Sequence, residues 1–216
     1  MSPSSSNSRR SSGLSFSGSS PFLTPFALPV QPVLEILSMS PASVVLELGE
    51  VSCRFTLPIA RSIAKKKGTG TVYACDFTEE AVVKAYQKAK DAHITQMVVP
   101  LLWETADSGR IPLDANEVDV IIAVSTSVFG TLRNRFVDEA LRVLRRGGKL
   151  FIADWRDTRK ALVRDTSEPA VSKTAAFDIL ESSSGAACKE LDIPELEWAF
   201  LMTKLSPIDP ADKRKR

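Results

Sequence analysis

The chain of 216 residues contains little of what the commonest metal and nucleophile chemistries need. It has one histidine, and its three cysteines are far apart, with no CxxC spacing among them. An odd, scattered set of cysteines argues against a disulfide framework and against a structural zinc site, and it fits a reducing compartment. The three cysteines are Cys53, which is expected to be a small packing residue, and Cys75 and Cys188, which are expected in the core of strands.

Long hydrophobic runs and an excess of one charge are also lacking. The most apolar stretch, residues 118–128, is interrupted by Asp119 and by three hydroxyl residues, so it falls short of the roughly 18 to 20 apolar residues that cross a bilayer. The 28 basic and 26 acidic side chains leave a net charge of +2, which gives no strong signal for a nucleic-acid partner. We expect a soluble protein with one core and no membrane segment.

The N-terminal stretch is free of acidic residues. Residues 1–34 contain no Asp or Glu, are rich in serine and carry Arg9 and Arg10, and this composition is expected not to pack. It is typical of an organelle transit peptide, which would imply a mitochondrion or plastid, and equally of a disordered leader on a cytoplasmic protein. The predicted domains are a leader at 1–30, a globular domain at 31–206 and a basic, disordered tail at 207–216.

Between the tails, apolar strand-like segments alternate with segments of helical periodicity. The predicted strands are 44–48, 72–75, 97–102, 119–124, 150–153, 187–191 and 196–204, and the predicted helices are 55–66, 79–91, 134–144 and 172–183. Ser52 and Thr78 are candidate helix N-caps, and Gly147 and Gly148 are expected to end the third helix. Such alternation indicates a doubly wound α/β sheet, and the short link around Pro194 indicates that the last two strands are antiparallel.

Four ordered segments carry a family resemblance: VVLELG at 44–49, VYACD at 72–76, EVDVIIAVST at 117–126 and ALRVLRRGGKLFIADW at 140–155. Together, and in this order, they resemble the class I S-adenosylmethionine-dependent methyltransferase family over roughly residues 33–205. The resemblance implies a doubly wound, mostly parallel seven-stranded sheet with a C-terminal antiparallel hairpin. It also implies S-adenosylmethionine as the cofactor.

The resemblance assigns roles to residues near the carboxyl ends of the strands, where open α/β sheets bind their ligands. In the family, the acid and glycines of the first loop hold the methionine portion, and an acid closing the second strand bonds both ribose hydroxyls. A residue after that acid packs on the adenine, and a polar residue after the third strand reads its exocyclic amine. The matching candidates here are Glu47, Gly49, Asp76, Phe77, Glu104 and Ser125.

The first loop departs from the family pattern, because Glu50, Val51 and Cys53 stand around the lone Gly49. Glycines in such loops let the backbone approach a ligand closely. Two readings therefore remain open: a methyltransferase, and a non-catalytic domain of the same fold that serves as a binding or assembly module. A nicotinamide-dependent oxidoreductase is disfavoured, because the loop does not supply GxGxxG.

The sequence gives less information about the methyl acceptor. A sulfonium donor carries its own activation, so a catalytic base is optional and no catalytic residue is assigned. The stretch AVSTSVFGT at 123–131 lacks the Asn/Asp-Pro-Pro-aromatic motif of amino-methylating nucleic-acid enzymes. The expected acceptor is therefore a small molecule or a protein. The oligomeric state stays open.

Overall fold

The structure is a computed structural model that describes residues 30–49, 53–104, 109–124, 127–155, 171–194 and 196–205. These residues form five helices and a seven-stranded sheet of order β3-β2-β1-β4-β5-β7-β6. The strands are β1 Val44–Leu48, β2 Thr71–Asp76, β3 Val98–Leu102, β4 Val118–Val124, β5 Leu144–Trp155, β6 Ala186–Leu191 and β7 Leu196–Lys204. The helices are α1 Val30–Leu37, α2 Thr56–Lys65, α3 Glu79–Asp91, α4 Ser127–Val143 and α5 Lys173–Ser182.

The predicted sheet is confirmed. Strands β1 to β5 run parallel, and β7 lies antiparallel between β5 and β6. Helices α1, α2 and α3 pack on one face of the sheet, and α4 and α5 pack on the other. The central strands β1 and β4 are apolar almost throughout because both of their faces are covered.

The strand order reverses beside β1, which pairs with β2 on one side and with β4 on the other. Leu48 is level with Cys75 of β2 and with Ala123 of β4, and Asp76 is level with Leu102 of β3. The carboxyl ends of these four strands therefore meet at one edge of the sheet. This edge is the switch point at which ligands bind in open α/β sheets.

The expectation that residues 1–34 do not pack is wrong for the last five of them. Helix α1 begins at Val30, and Val33 and Leu37 are buried on one helical face against the α2 side of the sheet. The spacing of four residues between these side chains places both on that face. Lys149 of β5 holds the C-terminal end of the helix by donating to the carbonyl oxygens of Ile36 and Leu37 at 3.3 and 3.0 Å.

The double glycine was expected to end α4, but it does not. The helix ends at Val143, and Gly147 and Gly148 lie in β5 beside an irregularity in its pairing with β4. A Cβ on Gly148 would lie 2.8 Å from the carbonyl oxygen of Arg145, so close backbone packing requires glycine at this position. Among the described residues, none of the helices is both long and apolar enough to span a membrane.

Candidate cofactor site

The chain turns away from β1 at Gly49. This residue has a φ of +70°, and its N–H donates to the carbonyl oxygen of Cys75 at 2.9 Å. Glycine adopts a positive φ at little steric cost, so it allows the first loop to leave the strand while still bonded to β2. The structure thus places Gly49 at the carboxyl edge, as predicted, and its role toward a cofactor stays a prediction.

Glu47 lies inside the sheet edge and not in the open loop. The side chain is 3% exposed, and its Oε1 accepts from the backbone N–H of Phe55 at 3.1 Å. Its Oε2 accepts from the backbone N–H of Thr56 at 2.7 Å and from the Thr56 hydroxyl. Both carboxylate oxygens are therefore engaged at the first turn of α2.

These bonds to Glu47 take the place of the helix N-cap that was predicted at Ser52. The N-cap position of α2 is Phe55, not Ser52, and the Phe55 side chain makes no capping hydrogen bond. Glu47 supplies the acceptor instead, and a carboxylate is favoured at a helix N-terminus by the helix dipole. Thr56, a fully buried hydroxyl residue, was not predicted from the sequence; its position at the first turn of the helix could have indicated it.

Cys53 retains the backbone conformation of a glycine-type position. Its φ is +52°, in the left-handed region that L side chains rarely adopt, while its side chain is buried. A cysteine at this position packs as a small apolar group on the α2 side of the sheet, in agreement with the sequence analysis. Glu50 and Val51, the other two departures from the family pattern, lie outside the described residues.

Asp76 closes β2 and is partly engaged in a local turn. Its Oδ1 accepts from the backbone N–H groups of Phe77 and Thr78 at 2.8 and 3.2 Å, and from the Thr78 hydroxyl at 3.4 Å. The Thr78 hydroxyl in turn accepts from the N–H of Ala81, which confirms Thr78 as the N-cap of α3. Within the described part of the chain, nothing donates to Oδ2 of Asp76. Oδ1 therefore stabilises the turn, and Oδ2 remains available to a ligand.

Two aromatic rings lie beside this acid. The backbone N–H of Trp103 donates to the carbonyl oxygen of Asp76 at 2.8 Å, and the Trp103 ring centroid is 5.1 Å from that of Phe77. Trp103 is 1% exposed, and among the described residues its Nε1 is the one buried side-chain nitrogen or oxygen without a hydrogen-bond partner. Leaving a buried donor unpaired costs about 1–3 kcal/mol, so this N–H needs an explanation.

The remaining candidates are not gathered as closely. Glu104 is exposed and lines an open concavity over the α4 side of β2 and β3, together with Tyr73 and Arg110. Tyr73 is tied there to Glu117, whose carboxylate accepts from its hydroxyl at 2.7 Å. Ser125 lies outside the described residues, so the prediction for it stays untested.

Cys75 is unsuited to nucleophilic chemistry. Burial, together with the charge of neighbouring Asp76, raises the pKa of its thiol from 9.0 to about 12. The thiol therefore stays protonated at neutral pH, whereas the thiolate is the reactive form. Cys75 acts as strand core, as the sequence indicated. Cys188, which was also expected in the strand core, is only half-buried on β6.

Comparison with known proteins agrees with this geometry. Residues 46–152 match a protein-family model described as "Methyltransferase domain". Proteins described as uncharacterized from Mycobacterium tuberculosis and Mycobacterium bovis are each 32% identical over 84 residues, which is 39% of this chain and 29% of theirs. The aligned stretch thus spans less than a third of the length of these relatives.

Three solved structures share the architecture. A SAM-dependent methyltransferase from Aquifex aeolicus is 23% identical with a TM-score of 0.63, over 82% of this chain and 88% of that chain. The geranyl diphosphate C-methyltransferase from Streptomyces coelicolor, solved with S-adenosyl-L-homocysteine, is 10% identical with a TM-score of 0.62, over 82% and 78%. The [4+2]-cyclase SpnF is 14% identical with a TM-score of 0.61, over 82% and 80%. At these identities the likeness shows the fold.

The match over residues 46–152 and the shared architecture together show that this chain has the class I S-adenosylmethionine-dependent methyltransferase fold.

Proposed function

We propose that this protein transfers the methyl group of S-adenosylmethionine to a small-molecule or protein acceptor. The observation that carries the proposal is Asp76, an acid at the carboxyl end of β2 with one oxygen unused by the described residues. An acid in this place of an open α/β sheet is suited to bind ribose hydroxyls. The family match and the neighbour solved with S-adenosyl-L-homocysteine support the same cofactor.

The described residues fit this cofactor. Asp76 would hold the ribose, Phe77 would pack on the adenine, and the turn at Gly49 would leave room for the methionine portion. Oδ2 of Asp76, to which nothing in the described part of the chain donates, is the polar atom that the ribose hydroxyls would satisfy. Glu47 departs from the family role, because its carboxylate is engaged with α2. Its contribution to the cofactor is therefore to hold the loop.

When bound, the cofactor supplies a methyl group already activated by its sulfonium. The protein then has to bind the cofactor in one orientation, present the acceptor in line and exclude water. Anchoring the loop at both ends serves the first task, because Gly49 bonds to β2 and the start of α2 bonds to Glu47. No catalytic base is assigned to any residue.

The rival reading is a non-catalytic module of the same fold. It is favoured by Cys53, whose buried side chain stands where the family has a glycine. The fold also occurs in a [4+2]-cyclase, so the fold by itself does not fix the chemistry. Under this reading the domain contacts a protein partner and does not bind the cofactor.

Calorimetric titration of the full-length protein with S-adenosylmethionine and S-adenosylhomocysteine separates the two readings. We expect saturable binding in the micromolar range, about 8 kcal/mol in free energy. Asp76→Asn should weaken it at least about tenfold, since a lost charge-assisted hydrogen bond is worth about 1.5–3 kcal/mol. Thr78→Ala is the matched control, because it removes the cap of α3 and, of the bonds to the Asp76 carboxylate, only the one at 3.4 Å.

Three results would decide the matter. Binding that is weakened by Asp76→Asn and not by Thr78→Ala supports the proposal. Binding that both variants retain removes Asp76 from the ribose role. A folded protein that binds neither compound favours the module. Where binding is found, isotope-labelled methyl transfer into a cell extract, followed by size separation, tells a small-molecule acceptor from a protein.

A further inference from the structure

The two edge strands of the sheet, β3 and β6, present different backbone groups to their open sides. In β3, the carbonyl oxygen of Met97 accepts from β2 and the N–H of Trp103 donates to β2. Every second residue between these two therefore bonds to β2, and Val98, Pro100 and Leu102 turn their backbone groups outward. Proline has no N–H, so Pro100 interrupts the edge and protects it from pairing with another strand.

Strand β6 has no such interruption. The N–H of Leu205 donates to the carbonyl oxygen of Gly185 at 2.8 Å, in the register that pairs β6 with β7. Residues of an antiparallel pair alternate between bonding to the partner strand and facing away from it. Ala186, Cys188 and Glu190 therefore turn their N–H and carbonyl groups to the open edge, and nothing in the described part of the chain bonds to them there. An edge of this kind can pair with a further strand.

The side chains of β6 indicate that a second copy of β6 fits this edge. In an antiparallel pair of two β6 strands with Cys188 on the two-fold axis, Lys189 lies opposite Ala187 of the copy. Glu190 then lies opposite Ala186 of the copy, so no two like charges of the strands are opposed. Like charges directly opposite each other are destabilising.

Other registers of the same pair are less favourable. Moving the axis to Lys189 or to Glu190 opposes that residue to its own copy, which places two like charges together. Moving the axis toward the N-terminal end of β6 pairs three residues of the strand or fewer. The charges that normally discourage edge pairing therefore select one register here.

We infer that β6 is a dimerisation edge, at which a second copy of this chain adds its own β6 antiparallel and continues the sheet through both protomers. The inference goes beyond the proposed function. Strands β5 and β7 separate β6 from the switch point at β1 and β4, so pairing at this edge leaves the candidate cofactor site open. Association of the chain and binding of S-adenosylhomocysteine can therefore be measured independently.

The test is the mass of the full-length protein in solution, measured by light scattering over a series of concentrations. We expect a mass that rises toward twice the 23.5 kDa of the chain. Ala186→Glu places an acid opposite the partner's Glu190 and should weaken the dimer about three- to thirtyfold, whereas adding Glu190→Lys should restore it. Ala187→Glu is the matched control, because it introduces the same residue one position along, opposite the partner's Lys189, and should not weaken the dimer.

Other outcomes overturn the inference. A protein that keeps the mass of one chain at every concentration does not use this edge. A dimer that Ala186→Glu and Ala187→Glu weaken alike, or that neither changes, forms through another surface or in another register. In all of these cases the proposed function stands, because calorimetric titration of the same samples with S-adenosylhomocysteine tests it separately.

Cys188 allows a second measurement that does not depend on introduced charges. Cys53 and Cys75 are buried, whereas Cys188 is half-buried. Opposed residues that exchange hydrogen bonds in an antiparallel pair have Cα atoms about 5.5 Å apart, so a short bis-maleimide should join the two copies of Cys188. Cys188→Ser should abolish this covalent dimer. Cross-linking that persists in Cys188→Ser, or that fails at concentrations where the protein is dimeric, contradicts the inference.

Discussion

Replacing Glu47 with alanine should destabilise the protein by about 3 kcal/mol, although the residue precedes the first residue of α2 by nine positions. The change removes the acceptor for two backbone N–H groups and a hydroxyl, on Phe55 and Thr56, both of which are buried. Loss of a helix cap costs about 1–2 kcal/mol, and a buried hydroxyl left unpaired adds about 1–3 kcal/mol. Relief from burying the carboxylate offsets part of this sum.

Urea unfolding of the full-length protein at pH 7 measures the effect, with the melting temperature as a second readout. A loss of this size should lower the melting temperature by about 6–12 °C in a chain of this length. Glu47→Gln keeps the shape and one acceptor oxygen, so its cost should be smaller. Glu80→Gln is the control, since Glu80 is an exposed acid in the first turn of α3, and it should leave the midpoint unchanged.

A double-mutant cycle then tests the cause. If Glu47 acts through the first turn of α2, combining Glu47→Gln with Thr56→Val should destabilise by less than the sum of the two single changes. A coupling near 1 kcal/mol is expected, because a hydrogen bond to a charged group is worth about 1.5–3 kcal/mol and the glutamine oxygen keeps a neutral one worth about 1 kcal/mol. Strict additivity, or a Glu47→Ala variant as stable as the unaltered protein, would refute the reasoning.

Two further predictions concern pH and close packing. Burial raises the pKa of Cys75 and of Tyr73 to about 12, from 9.0 and 10.0, so unfolded chains lose these protons first and the free energy of unfolding should fall between about pH 9 and 12. Urea unfolding across this range should show a shallower fall for Cys75→Ala, and an identical slope would contradict the cause. Separately, Gly68→Ala should cost more than about 2 kcal/mol, because its Cβ would lie 2.0 Å from the carbonyl oxygen of Pro41. Gly185→Ala, in open space at a φ of +91°, should cost only about 1 kcal/mol, and the reverse order would contradict the packing argument.

The features that local sequence determines were predicted well. Helix α3 begins and ends where expected, because Thr78 is a good N-cap, two acids follow it and alanines recur on one face. The order of strands and helices follows from alternating periodicities, and the antiparallel hairpin follows from the short link at Pro194. In each case the signal lies within a few residues of the element it specifies.

Features that depend on distant contacts were predicted less well. The start of α2 is set by Glu47, which is eight and nine positions away in sequence from the two residues whose N–H groups it binds. Gly148 is required because the carbonyl oxygens of Asp119 and Arg145 lie close to it. The double glycine, which was interpreted as a helix stop, instead allows close backbone packing in β5. Helix α1 was not predicted, because its first residues were grouped with the serine-rich stretch that precedes it. A sequence pattern within a few residues of an element does not indicate its contacts with residues that are distant in the chain.

The contact between Glu47 and the start of α2, which was not predicted from the sequence, also bears on which cofactor this site can bind. In dinucleotide-binding folds, the N-terminus of the helix after the first strand holds the pyrophosphate through its free N–H groups and its dipole. Here the carboxylate of Glu47 occupies the N–H groups of Phe55 and Thr56. A pyrophosphate would meet a negative charge and a helix end already satisfied. S-adenosylmethionine carries no phosphate, so the arrangement that stabilises α2 also disfavours the nicotinamide dinucleotides and is compatible with a cationic nucleoside cofactor.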